Sequence, residues 1–313
     1  MIDIDKLLAG DRRMAARAIS MIEDEDEDRQ KLLSELFPHT GNVLTIGITG
    51  SPGAGKSSLT DALTRQARQQ DLKVGIIAVD PTSPISGGAL LGDRIRMQEH
   101  ALDRGVFIRS MGTRGCLGGL ARATKDAVKV LDAFGCNIIL IETVGVGQSE
   151  LDIMHYADTT LVVLTPGAGD HVQTIKAGIM EIANIFVINK ADLGNTGKMI
   201  TDIEQMLDMS SRHNGWRPPI IKTVTTEEKG LPELWNMILT HKEYNETSGA
   251  QKENERKRVQ QEVQELLEEK IQNQLKLKLS STGNMGKLVE SIVERNMDPY
   301  AAANKLLKEF LSI

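Results

Sequence analysis

Short runs of apolar, mostly β-branched residues punctuate the middle of the chain. They are NVLTIGIT at 42–49, VGIIAVD at 74–80, GVFIRS at 105–110, NIILIET at 137–143, TTLVVLTP at 159–166 and NIFVINK at 184–190. These runs are nearly continuous in apolar character, so each predicts a strand buried on both faces. Stretches of helical periodicity lie between them, such as 56–70, 119–134 and 171–182. Buried strands alternating with helices predict an α/β fold: a mostly parallel sheet covered by helices on both faces and joined by right-handed crossovers. Ligands of such sheets lie beyond the carboxyl ends of the strands. The residues just after each apolar run are therefore the ones to read for chemistry.

The flanks follow a different pattern. Leu7, Leu8, Met14, Ala18, Ile19 and Ile22 recur at roughly helical spacing, and Leu32, Leu33, Leu36 and Phe37 resume the pattern until Pro38 and Gly41 break it. The acidic run EDEDED at 23–28 reads as a solvated helix face or turn. Residues 251–279 are dense in Glu, Lys, Gln and Arg, with Val259, Val263, Leu266, Leu267, Ile271 and Leu275 on one stripe. That is a long amphipathic helix. Two shorter helices follow, one carrying Leu288, Ile292 and Val293, the other opened by Asp298 as N-cap and Pro299 in the first turn. The predicted organisation is an N-terminal helical segment at 1–41, an α/β domain at 42–245 and a C-terminal helical arm at 246–313.

Composition narrows the function classes. The chain has 313 residues, 40% hydrophobic and 26% charged, ordinary for a globular protein. No apolar run approaches the ~18–20 residues that span a bilayer, so no membrane is expected. The opening MIDIDKLLAGDRR has no basic stretch followed by an apolar one, and the expected location is cytoplasmic. The net charge is −6 and aromatic residues are 3%, which argues against nucleic acid as a partner. Two cysteines, Cys116 and Cys136, fit a reducing compartment. The six histidines form no HxxxH or HxH pair, which argues against zinc.

The first apolar run leads into Gly50, Ser51, Pro52, Gly53, Ala54, Gly55, Lys56, Ser57 and Ser58. This is G-x-x-x-x-G-K-[ST] between a predicted strand and a predicted helix, the phosphate loop of nucleoside triphosphatases. Its glycines let backbone N–H groups turn toward phosphate oxygens, and the helix points its positive end at them. Lys56 would reach the β- and γ-phosphates and Ser57 would ligate Mg²⁺. The sixth run ends in Asn189-Lys190-Ala191-Asp192, an NKxD pattern. A carboxylate there accepts two hydrogen bonds from guanine N1–H and its exocyclic amine, a donor pair that adenine lacks. Together the motifs predict GTP and GDP as ligands. Thr223-Val224-Thr225-Thr226 follows the short apolar stretch Ile220-Ile221 and takes the place of a third base-contacting loop, with Thr225 as its candidate; the usual Ser-Ala is missing.

Three acids are candidates for magnesium. Glu142 near the end of the fourth run begins Glu-x-x-Gly where many regulatory GTPases carry Asp-x-x-Gly, with Gly145 the γ-phosphate sensor. Asp80 closes the second run, and Asp93 lies in a predicted loop. Segment 83–92, SPISGGALLG, has the composition of a mobile loop and is a candidate first switch.

The ordered set GSPGAGKSS, VDPTSP, GGALLGDRIRM, RSMGTRGCLGGLA, ETVGVGQSE, PGAGD and NKAD resembles the MeaB/ArgK family of P-loop GTPases. The resemblance covers about residues 5–245, and the C-terminal helices fit that family's dimerisation arm. It implies a homodimeric, slowly hydrolysing GTPase chaperone of an adenosylcobalamin-dependent acyl-CoA mutase, chiefly methylmalonyl-CoA mutase, gating cofactor loading and protecting the enzyme. It also implies that Asp80, Asp93 and Glu142 surround magnesium, that Asn189 and Asp192 read guanine, and that the loop from Pro166 to Lys176 couples nucleotide to mutase. Lys176 would supply positive charge to the transition state. Ser51 stands where the ATPase branch of the class has lysine, and no His- or Cys-rich segment supports nickel delivery. Three alternatives stay open: a phosphotransferase linked to a transport system, another metallocofactor-insertion GTPase of the same class, and a non-enzymatic dimeric module with nucleotide as a structural ligand.

Overall fold

The computed structural model describes residues 2–80, 100, 102–112, 119–143, 149–166, 178–194, 196–209, 215–282 and 284–311. The chain divides into two compact units, Met1–Ala250 and Gln251–Ile313. In the first, seven parallel strands form one sheet: β1 (Leu44–Gly50), β2 (Val74–Asp80), β3 (Val106–Gly112), β4 (Ile138–Thr143), β5 (Thr159–Leu164), β6 (Ile185–Ile188) and β7 (Ile220–Lys222). Their order is β3-β2-β4-β1-β5-β6-β7. All six apolar runs are strands, and the short stretch at Ile220 is the seventh. β1 lies at the centre, so its phosphate loop opens between β4, which brings Glu142, and β5.

Both faces of the sheet are covered, as continuous apolar strands require. Successive residues of one strand enter different cores: Ile76 faces one side with Ile46, Leu140 and Leu161, while Ile77 faces the other with Ile139 and Ile141. Helices Lys56–Arg68 and Leu231–Thr247 bury Leu59, Leu63, Leu234, Trp235 and Ile238 against the first face. Helix Gly119–Ala133 covers the second with Val130 and Leu131. Beyond it the N-terminal helices Ile4–Leu8, Arg12–Glu23 and Arg29–Leu36 contribute Leu7, Ile19, Ile22 and Leu36 to the same core. Burying each such side chain stabilises the fold by about 1.5–3 kcal/mol. The acidic run is the turn between the second and third helices, with Glu25 at φ 53°. Of the predicted helix at 171–182, residues 178–182 are described, and Ile179–Ile182 is a 3₁₀ turn; the rest lies outside the described residues.

In the second unit the helix Ala250–Thr282 runs for 33 residues, followed by Asn284–Val293 and Pro299–Leu311. Asp298 caps the last, accepting hydrogen bonds from the N–H groups of Tyr300 and Ala301. Four residues of the long helix's apolar stripe, Val259, Val263, Leu267 and Ile271, are each about half exposed, while Leu266 and Leu275 are partly covered.

Candidate functional site

The site is assembled at the carboxyl end of β1. Gly50 sits at φ 136°, and a Cβ there would overlap the Val163 carbonyl of β5, so the strand can end its pairing only with glycine. The loop then turns through Gly53 at φ 77° and Gly55 at φ 89°, between which Ala54 is fully buried. Gly55 is the N-cap of helix Lys56–Arg68. Lys56 is buried, and its Nζ braces the loop by donating to the Gly50 carbonyl at 2.6 Å and the Ser51 carbonyl at 3.1 Å. Pro52, Gly53 and Ser58 are exposed around it. An ammonium group held over the loop, at the positive end of a helix, is what an anion of phosphate chemistry requires.

Glu142 is the buried acid of the site, 3% exposed on β4. Its register partner on β1 is Ile48, so its side chain reaches the phosphate-loop helix. Ser57 Oγ donates to Glu142 Oε1 at 2.5 Å, and Thr60 Oγ1 lies 3.1 Å from Oε2. One position on, Thr143 and Thr49 hydroxyls meet at 3.0 Å across the β4–β1 seam. The donor set of Ser57 and Glu142 is all oxygen, which fits a hard cation such as Mg²⁺. Among the described residues no three His, Cys, Asp or Glu side chains converge as a metal site. Of Asp80 the backbone alone is described, at the end of β2 opposite Gly112 of β3. Asp93, Gly145 and Lys176 lie outside the described residues.

The base-reading loop follows β6 and is joined directly to the phosphate loop. Asn189 is fully buried, donates from Nδ2 to the Ala54 carbonyl at 2.9 Å, and takes a hydrogen bond from Thr223 Oγ1 on its Oδ1 at 3.1 Å. Lys190 holds a left-handed backbone, φ 55°, and its Nζ donates to the Gly53 carbonyl at 2.9 Å. A non-glycine residue in that region costs about 1–2 kcal/mol. The turn it enables, Ala191–Leu193, leaves Asp192 exposed. Gly55 lacks a Cβ where one would overlap the Asn189 amide. Asn189 thus ties this loop to the phosphate loop, with Asp192 exposed three positions on.

The candidate third loop follows β7. Thr225 is buried at the start of the 3₁₀ turn Thr225–Glu227, while Thr223 makes the contact to Asn189. Val224 and Lys229 close the loop as a small antiparallel bridge. The sequence patterns placed Thr223 in the third loop without its contact to Asn189, and passed over Thr60. Both threonines are marked only by being polar at positions where the fold buries everything, which a single sequence shows once the helix phase and strand end are fixed. Cys136 is buried and its thiol is pushed up to about 12, so it is inert. Among the described residues no helix is long and apolar enough to cross a membrane.

Known proteins resemble this chain along its length. The family model described as methylmalonyl Co-A mutase-associated GTPase MeaB matches residues 15–280. A protein of Pyrococcus abyssi is 50% identical over 316 residues, 99% of this chain and 97% of its own. The mouse mitochondrial methylmalonic aciduria type A homolog is 32% identical over 331 residues, 98% of this chain and 78% of its own. A crystal structure of LAO/AO transport system kinase matches with a TM-score of 0.71 at 26% identity, covering 99% of this chain and 96% of that one. The matched span takes in the phosphate loop, Glu142 and the base-reading loop, and the chain thus belongs to the MeaB/ArgK family of P-loop GTPases, binding guanine nucleotide and hydrolysing GTP.

Proposed function

We propose that the chain is a GTP-driven chaperone of an adenosylcobalamin-dependent acyl-CoA mutase, with methylmalonyl-CoA mutase the favoured client. The observation that carries this is the family match over residues 15–280, whose description names the mutase. The mouse relative, named for methylmalonic aciduria, supports it. In this reading Lys56 and the loop from Gly50 to Ser58 hold the phosphates, and Asp192, positioned by Asn189 and Lys190, reads guanine. Thr225 borders the base. Ser57 and Glu142, with Asp80 and Asp93, would hold magnesium, which when bound supplies positive charge to the phosphate oxygens. Gly145 senses the γ-phosphate, and Lys176 adds charge as it leaves. Phosphoryl transfer needs positioning and charge more than a strong base, so the unassisted rate is slow and the mutase raises it. The outward stripe of Ala250–Thr282 pairs two copies in a cytoplasmic homodimer.

Following free phosphate released from GTP, with and without purified mutase, tests the proposal. Stimulated release is expected. No stimulation, together with no effect of nucleotide on mutase binding, contradicts it. Label from the γ-phosphate appearing on protein would favour a phosphotransferase instead.

A further inference from the structure

Thr60 stands where packing alone would place an aliphatic side chain. It lies on the sheet-facing stripe of helix Lys56–Arg68, fully buried beside Leu59 and Leu63. Threonine is only a middling helix former, and a buried hydroxyl must find a partner. Thr64, one turn on and equally buried, answers locally by donating to the Thr60 carbonyl at 2.7 Å. Thr60 has the same local acceptor, the Lys56 carbonyl at 3.0 Å, and in addition lies 3.1 Å from Glu142 Oε2. A hydroxyl carries one proton. The Glu142 oxygen and the helix carbonyl lie at the same reach, so the hydroxyl links its own helix turn to the carboxyl group of β4. Ser57, three positions earlier on the same helix face, donates to the other oxygen, Oε1, at 2.5 Å. Two hydroxyls of one helix thus fix both oxygens of a buried acid on the neighbouring strand.

We infer that Thr60 is a positioning residue. Its hydroxyl holds Oε2 of Glu142, keeps Oε1 aimed at Ser57, and so sets how tightly the magnesium accompanying the nucleotide is held. The inference rests on the reading of Ser57 and Glu142 as the magnesium side of the site. Outer groups that orient a metal-site carboxylate typically change metal affinity by about 10–100-fold.

The test uses the full chain, a fluorescent GDP analogue, and magnesium titrated from a chelated start. Thr60→Val removes the hydroxyl at nearly equal volume, Thr60→Ser keeps it, and Thr64→Val removes the neighbouring hydroxyl that serves only its own helix. Thr60→Val is expected to raise the half-saturating magnesium concentration about tenfold or more, while Thr60→Ser and Thr64→Val stay within about twofold of the parent. Affinity for GDP in chelator is expected to be unchanged, a separation that a general packing defect would not produce. If Thr60→Val fails to fold in a thermal melt, Thr60→Ala carries the same comparison. A parent-like magnesium dependence in the variant, or equal losses in Thr60→Val and Thr64→Val, overturns the role of Thr60 alone. A parent chain whose GDP binding ignores magnesium overturns the reading of the site, and this inference with it.

Discussion

Replacing Gly55 by alanine asks whether the phosphate loop and the base-reading loop work as one device. Gly55 has φ 89°, and its missing Cβ is the space that the Asn189 amide occupies. An alanine meets two penalties. Left-handed backbone costs about 1–2 kcal/mol. Driving Asn189 off the Ala54 carbonyl strands a buried amide, a further ~1–3 kcal/mol. Where binding must restore the native loop, the combined penalty weakens GDP by at least about 30-fold, at ~1.4 kcal/mol per factor of ten. Gly53 is the matched control: φ 77°, with nothing within 4 Å of an added Cβ. Gly53→Ala carries only the backbone penalty, which corresponds to a loss of about 5- to 30-fold. The assay is equilibrium titration with fluorescent GDP, competed by GTP and ATP. Gly55→Ala should lose more affinity than Gly53→Ala and should also lose preference for guanine, while Gly53→Ala keeps it. Equal losses, or an unaltered guanine preference in Gly55→Ala, would refute the coupling.

Three further outcomes are expected. Asp192→Asn should cut the preference for GTP over ATP by about 100-fold or more in a competition titration, since the guanine donor pair then loses its acceptor; retained selectivity contradicts the base-reading role. His241 is 2% exposed, bonded to Thr159 Oγ1 at 2.9 Å and flanked by Trp216, and burial lowers its pKa to about 4. The unfolded chain takes up that proton near 6.5, so this group's contribution is lost as pH falls from about 6.5 to 4, by up to ~3 kcal/mol. His241→Gln should flatten that slope in urea melts, and an unaltered slope speaks against it. Val263→Glu with Ile271→Glu, both in the exposed stripe, should convert a dimer to a monomer in sedimentation at about micromolar concentration. A surviving dimer places the contact elsewhere.

The fold was legible because both of its faces are buried. A strand that enters two cores cannot alternate, and β2 from Val74 to Asp80 is the run the pattern predicts, residue for residue. β7 is three residues long, too short for any periodicity to announce, and is strand only because β6 pairs with it. Strand order was not legible, since each crossover of this hand can step either side of β1. The phosphate loop and NKxD were readable because their chemistry is local. The supports were not: Thr223 and Thr60 matter through partners 34 and 82 positions away. The stripe on Ala250–Thr282 predicted a helix correctly, but amphipathicity does not say what the apolar side meets: Val259, Val263, Leu267 and Ile271 are exposed, while Leu266 and Leu275 are partly covered.

If the chain is the mutase chaperone proposed above, its nucleotide state and its grip on the acyl-CoA mutase are coupled. Coupling between two ligands is reciprocal, so the factor by which GTP in place of GDP changes mutase affinity must equal the factor by which mutase changes the GTP-to-GDP affinity ratio. Measuring both by calorimetry, with a non-hydrolysable GTP analogue, closes the cycle. The same factor is expected on both sides, about 5-fold or larger. A factor of one on both sides, with nucleotide and mutase each binding, would contradict it.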